Sequence, residues 1–181
     1  MEFRAEEYVL YPFTHSLMTL DTARGLEFAQ FLAKDLPPYI NSRYRTKTDR
    51  SNTFIGGSSF GGLISLTAAL YYPDTFGGVL GFSNALWPGD YGLSQDYLDR
   101  TAPLEAHFYL DTGELEGLGS NDEYAEKNYR LFQQIESLNT SRTAFVFQKN
   151  ASHNEMYWAQ RFIMAIQWLL DPGKDQDFLL Y

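Results

Sequence analysis

The 181-residue chain contains no cysteine. That excludes a disulfide scaffold, a cysteine nucleophile, an iron–sulfur cluster and any thiolate zinc site. Histidine is scarce too: three residues leave little from which to build a metal cage. No metal or organic cofactor is expected. Basic residues are few, 14 Lys and Arg against 23 Asp and Glu, for a net charge of −9. Phosphate contacts supply most of the affinity for nucleic acid, so an acidic chain without a long basic run is a poor nucleic-acid binder. Long apolar runs are also missing. The longest stretch, Gly61 to Tyr72, falls far short of the roughly 20 residues a membrane helix needs. Residues 1–11 mix charged and apolar residues and show no basic n-region or apolar h-region. The expectation is a cytoplasmic protein with neither membrane nor nucleic acid as partner. What is present is aromatic and apolar. Phe, Trp and Tyr make up 17% and hydrophobic residues 44%, enough for a ring-rich core in one domain spanning 1–181.

Patterning divides the chain into alternating elements. Residues 1–20 read as an irregular or extended lead-in. Asp21 is placed to cap a helix in which Leu26, Ala29, Leu32 and Leu36 recur at helical spacing. Pro37 and Pro38 are expected to interrupt it near Tyr39. Short apolar strands are predicted at 52–57, 77–82, 106–112 and 143–148. Helices are predicted at 60–72, from about 121, and through Trp158, Phe162, Ala165, Ile166 and Leu169. Residues 83–104 read as a loop. Strands alternating with helices argue for a parallel sheet covered by helices, with its active site at the carboxyl ends of the strands.

The loop after the first of these strands reads Gly57-Ser58-Ser59-Phe60-Gly61, then Gly62. This is G-x-S-x-G between a predicted strand and a predicted helix. In that setting a serine is held on a sharp turn with its hydroxyl exposed. The amide of Phe60, at the helix start, is aimed to receive a developing oxyanion. A serine needs a neighbouring base to act as a nucleophile. His153, in Asn150-Ala151-Ser152-His153-Asn154, lies on the loop after the last strand and so on the same rim. His107 falls inside a strand, where a packed histidine is expected, and His15 precedes the first clear element. For the acid that would orient the base, the loop after the third strand offers Asp111, Glu114, Glu116 and Asp122. Glu116, between Gly113 and Gly117, is favoured; the others stay open. Trp87 reads equally as a wall of the substrate pocket or as core. Arg43, Arg45, Lys47 and Arg50 form a local basic run, more in keeping with a solvated face or salt bridges than with an anion site.

Several segments together resemble the esterase family of α/β hydrolases, which holds enterochelin-type siderophore esterases, feruloyl and acetyl-xylan esterases and S-formylglutathione hydrolases. They are Tyr44-Arg45-Thr46, Ile55 to Gly62, Tyr72-Pro73 with Phe76, Ser83-Asn84-Ala85-Leu86-Trp87, Gly113-Glu114-Leu115-Glu116, and Ser152-His153 running into Trp158. The similarity covers roughly residues 4 to 170 and is nearest to the enterochelin-esterase-like branch. It implies an α/β-hydrolase-type parallel sheet flanked by helices, with the family's N-terminal portion absent. It implies a serine esterase acting on a small-molecule ester through Ser59, His153 and Glu116, in the chain order of that fold. Family members carry earlier strands and a loop that supplies a second oxyanion donor, and Arg4, Glu7 and Tyr8 look like the segment just after it. A weak esterase is therefore expected from this chain alone. Two alternatives accompany that reading: a catalytically inactive remnant serving as an interaction module, and an acyltransferase that uses the same residues with an alcohol in place of water.

Overall fold

In the computed structural model of the chain the described residues are 2–16, 18–87, 92–99, 103–117 and 123–171. Helix α1 (Glu2–Tyr8) leads into a hairpin of β1 (Phe13–His15) and β2 (Met18–Leu20). Next come α2 (Gly25–Gln30), a π-helical turn (Phe31–Asp35) and α3 (Leu36–Asn41). The remainder alternates: β3 (Phe54–Ser58), α4 (Phe60–Tyr71), β4 (Gly78–Phe82), α5 (Gly92–Leu98), β5 (His107–Leu115), α6 (Glu123–Leu138), β6 (Thr143–Ser152) and α7 (Glu155–Leu170).

Strands β3 to β6 pair in parallel in the order β3-β4-β5-β6. Side chains alternate across the sheet, so each strand feeds two cores. Val79, Phe108 and Leu110 point to one face, where Leu63, Leu66 and Leu70 of α4 and Leu131, Phe132 and Ile135 of α6 cover them. Leu80, Phe82 and Tyr109 point to the other, under Ala165, Trp168 and Leu169 of α7. With helices on both faces, the inner strands are apolar throughout rather than alternating: all five residues of β4 are buried. A parallel sheet covered by helices is what the strand and helix periodicities predict, and its architecture is of the α/β-hydrolase type that the family resemblance implies.

Four local expectations are corrected. In the lead-in read as irregular or extended, β1 and β2 are extended but Glu2–Tyr8 is helical, because Ala5, Val9, Phe13 and Leu20 share a small core with Phe60 and Trp87 packed against it. A seven-residue helix has little stability alone, so that burial is what sustains α1. Asp21 does not cap a helix. The helix starts at Gly25, whose amide is held by the Val9 carbonyl at 2.9 Å. The irregularity near Pro37 and Pro38 lies ahead of them, in the π-helical turn, and not at Tyr39. Both prolines then occupy the first turn of α3, where a missing N–H costs no hydrogen bond. Within 83–104, α5 replaces part of the predicted loop, anchored by Leu93 and by fully buried Tyr97, whose hydroxyl donates to the Leu66 carbonyl at 2.8 Å. No described helix is long and apolar enough to cross a membrane.

Candidate active site

Ser59 joins β3 to α4 with φ 57° and ψ −122°, in the left-handed half of the map that a side chain enters only under constraint. Hydrogen bonds on both sides impose it. Its amide donates to the Phe82 carbonyl at the end of β4 (2.9 Å). Its carbonyl accepts from the amides of Gly62, Leu63 and Ala85, each at 3.1 Å. Glycine is demanded at two nearby positions. A Cβ at Gly57 would lie 2.6 Å from the Gly61 carbonyl carbon, and one at Gly62 would lie 2.1 Å from Asn84 Oδ1. The turn is thus a steric consequence of the Gly-Ser-Ser-Phe-Gly-Gly string. Phe60 is the first residue of α4, so its amide is one of the helix's N-terminal donors.

Ser59 is one of three non-glycine residues with positive φ among the described residues. The others are Ser83, immediately after β4 (φ 44°), and Asn150, near the end of β6 (φ 55°). All three lie toward the carboxyl ends of parallel strands, where local strain gathers around the same rim. The Asn150 amide is held by Glu114 Oε2 at 2.8 Å. Beyond it, the turn into α7 carries His153. Its Nε2 lies 2.9 Å from Ser59 Oγ and its Nδ1 2.6 Å from Glu116 Oε2. The ring is set edge-on against Tyr124 and Trp158, with centroids 5.3 and 4.8 Å away. These two contacts leave it little freedom to turn.

Glu116 follows β5, whose pairing with β6 shifts register between Gly113 and Leu115. The irregularity brings the carboxylate back under the strand end, where its side chain is 1% exposed. Oε1 accepts from the Gly113 amide and from the Ser83 hydroxyl (2.5 Å). Burial pushes this carboxyl up. The hydrogen bonds from His153, Ser83 and Gly113 outweigh it and hold the group below the usual carboxylate range. The other acids are elsewhere. Asp111 is fully buried in β5, 2.9 Å from Nε of equally buried Arg161. Burial raises it to about 7 despite the pull of that guanidinium. Glu114 caps the Asn150 amide, and Asp122 lies outside the described residues.

The remaining residues singled out in the sequence divide by location. Trp87 is half-buried, its ring 5.6 Å from Phe60, 5.6 Å from Phe13 and 4.8 Å from His15. His107 starts β5, at the opposite end of the sheet from Ser59, and packs against Trp168. In the basic run, Arg50 donates to the Pro73 carbonyl (2.7 Å) and Arg43 lies over the Tyr39 ring (3.8 Å). That run precedes the amino end of β3, whereas Ser59 follows its carboxyl end.

Sequence reasoning missed the residues behind the carboxylate. Ser83, Arg161 and the mutually bonded pair Asn84 and Asn128 are all completely buried. One signal was available. In α7 the buried positions are Arg161, Ala165, Trp168 and Leu169, while Phe162, one of the residues that mark the helix in the sequence, is half exposed. An arginine in register with Ala165 and Leu169 marks a buried ion pair, because an uncompensated guanidinium could not stay there.

The sequence profile described as "Putative esterase" matches residues 21–169. The iron(III) salmochelin esterase of Escherichia coli is 34% identical over 101 residues, 48% of this chain and 25% of that protein. An IroE-like serine hydrolase from Shewanella oneidensis superposes with TM-score 0.72 and 17% identity, covering 95% of this chain and 58% of the other. The enterobactin esterase of Shigella flexneri superposes with TM-score 0.64 and 22% identity, over 81% and 39%. The chain thus spans between a quarter and three-fifths of the length of these three relatives. With the match covering most of its residues and the fold shared, the chain belongs to the esterase family described by that profile.

Proposed function

We propose that the chain is a serine carboxylesterase domain. Ser59 Oγ attacks the ester carbonyl carbon while His153 Nε2 takes the hydroxyl proton. The carbonyl π pair moves to oxygen, and the amide of Phe60 donates to that oxyanion. Collapse expels the alcohol, which leaves with the proton from His153, and the acyl group remains on Ser59. Water then adds to the acyl-enzyme with His153 again as base. The carboxylic acid departs and Ser59 is regenerated. Glu116 accepts a hydrogen bond from the Nδ1–H, fixes the tautomer and stabilises the imidazolium of each step.

One observation carries this reading: a serine on a left-handed turn at 2.9 Å from a histidine whose second nitrogen is 2.6 Å from a buried carboxylate. For the substrate we propose a small-molecule ester with an aromatic acyl or alcohol group, of the siderophore type. The rings of Trp87, Phe60, Phe13 and His15 offer it a stacking wall on the Phe60 side of Ser59. The salmochelin and enterobactin esterases among the similar proteins point the same way. The test is labelling with a fluorophosphonate probe together with hydrolysis of p-nitrophenyl acetate. Both signals are expected in the native chain and neither in Ser59→Ala. Undiminished labelling of the variant sinks the assignment.

A further inference from the structure

The hydroxyl of Ser83 is held by three hydrogen bonds whose directions are fully determined. Trp158 Nε1 donates to it at 3.0 Å and Arg161 Nη2 donates to it at 2.8 Å. A serine oxygen has two lone pairs and one hydrogen, so both lone pairs are taken and the hydrogen must leave toward a third group. That group is Glu116 Oε1, 2.5 Å away. Arg161 Nη2 itself lies 3.8 Å from the same oxygen, outside hydrogen-bonding distance, so the serine hydroxyl is the hydrogen-bonded link between the guanidinium and the carboxylate. The guanidinium cannot drift closer while Asp111 holds its Nε at 2.9 Å and Gln148 holds its Nη1 at 2.8 Å.

We infer that Ser83 is a positioning residue for the esterase reaction: it links Arg161 to Glu116 and clamps Oε1, so that Oε2 alone faces His153. The terminal torsion of a glutamate is broad and does not by itself choose an orientation. The clamp chooses it, with the Gly113 amide as second donor to Oε1. The backbone is shaped for the purpose. Ser83 adopts φ 44°, and its amide donates to both the Asp111 carbonyl and Asp111 Oδ1 at 3.1 Å, which aims the side chain back under the Glu116 carboxylate. The ionisable groups around Glu116 are Asp111 on β5, Arg161 on α7, Tyr124 on α6 and His153 in the β6–α7 turn. Glu114 is engaged with the Asn150 amide.

The inference rests on the esterase reading, so its test includes a readout that does not depend on turnover. The native chain, Ser83→Ala and Ser83→Gly are prepared with carbon-13-labelled Glu carboxyls. The Glu116 signal is assigned by its loss in Glu116→Gln. Both variants remove the hydroxyl. Glycine adopts the φ of this position without strain, so its variant folds even if the alanine variant does not. Removing a donor to the charged form raises an acid's titration midpoint. The Glu116 midpoint is expected to rise by about one unit in both variants. The kcat for an aryl ester, counted per fluorophosphonate-reactive serine, is expected to fall about tenfold at unchanged KM, the scale of one hydrogen bond to a charged group. A residue that merely packs would lower the folded fraction and leave the midpoint in place. A midpoint that stays or moves down, or a kcat per reactive serine equal to the native value, overturns the inference. If the native chain shows no Ser59-dependent turnover, the esterase reading fails instead, and the Glu116 midpoint judges the clamp alone.

Discussion

The two flanks of Ser59 are built differently. On one side stand β4, β5, β6 and α7. Here β4 is wholly buried, Arg161 and Asp111 form a fully buried ion pair, and every hydrogen bond around Glu116 has a named partner. On the other side β3 is the last strand of the described sheet. None of its five residues is buried, and Gly56 is exposed. In the proposed reaction, the flank that would handle the proton is over-determined, whereas the flank where a carbonyl oxygen would be held relies on the amino end of α4. Positioning a base demands fixed distances among three side chains from three segments, so that half needs a rigid shell. The nucleophile's own turn is sustained more locally, by glycine contacts and by hydrogen bonds to Phe82 and Ala85. An open edge of this kind leaves backbone donors and acceptors available to another strand.

The largest blow to the built flank is expected from Glu116→Gln. An amide at an orienting carboxylate typically costs about 10⁴ in kcat through the wrong tautomer. Steady-state hydrolysis of an aryl ester measures it, and a loss below tenfold would mean His153 needs no such partner. The same variant carries a pH signature. Glu116 titrates below its usual 4.5 in the folded chain, so its stabilising contribution is present above that pH and is lost as pH falls through the folded value. The stability gap between native and Glu116→Gln chains, read by urea denaturation, should therefore be wider at neutral pH than near pH 3.

In the closed flank, Arg161→Met leaves Asp111 buried without its cation. The expected loss is about 3–5 kcal/mol of stability, seen as a large drop in Tm. A Tm shift of a degree or two would show that Asp111 is content in its neutral form. The smallest effect is expected from Trp87→Ala, which removes one face of the aromatic wall. A rise of about tenfold in KM for aromatic esters, with acetate esters little changed, is the expected pattern. Equal changes for both would return Trp87 to the core.

Much of this molecule is legible in its local pattern. Gly57 to Gly62 specifies a strand–turn–helix because the steric demands of that turn are met within six residues. The apolar runs of the inner strands β4 and β5 announce a sheet covered on both faces because strands buried on both sides read as continuous hydrophobic stretches. The chain order of serine, acid and histidine follows from those placements, whichever carboxylate of the third loop serves. What the pattern left open was decided by contacts between distant segments. Alternation along a strand would put Glu114 and Glu116 on the same side. The register shift after Gly113 separates them, sending one to the Asn150 amide and the other to His153. Ser83 and Arg161, 78 residues apart, meet only once β4 and α7 are packed. The lead-in of residues 1–20 becomes a helix and a hairpin because Phe60 and Trp87 offer Ala5, Val9 and Phe13 somewhere to be buried. Turn geometry is set by the nearest neighbours, so sequence discloses it. The choice among carboxylates, and the fate of a short segment with weak propensity, depend on what the rest of the chain brings alongside, and that is settled only by the tertiary fold.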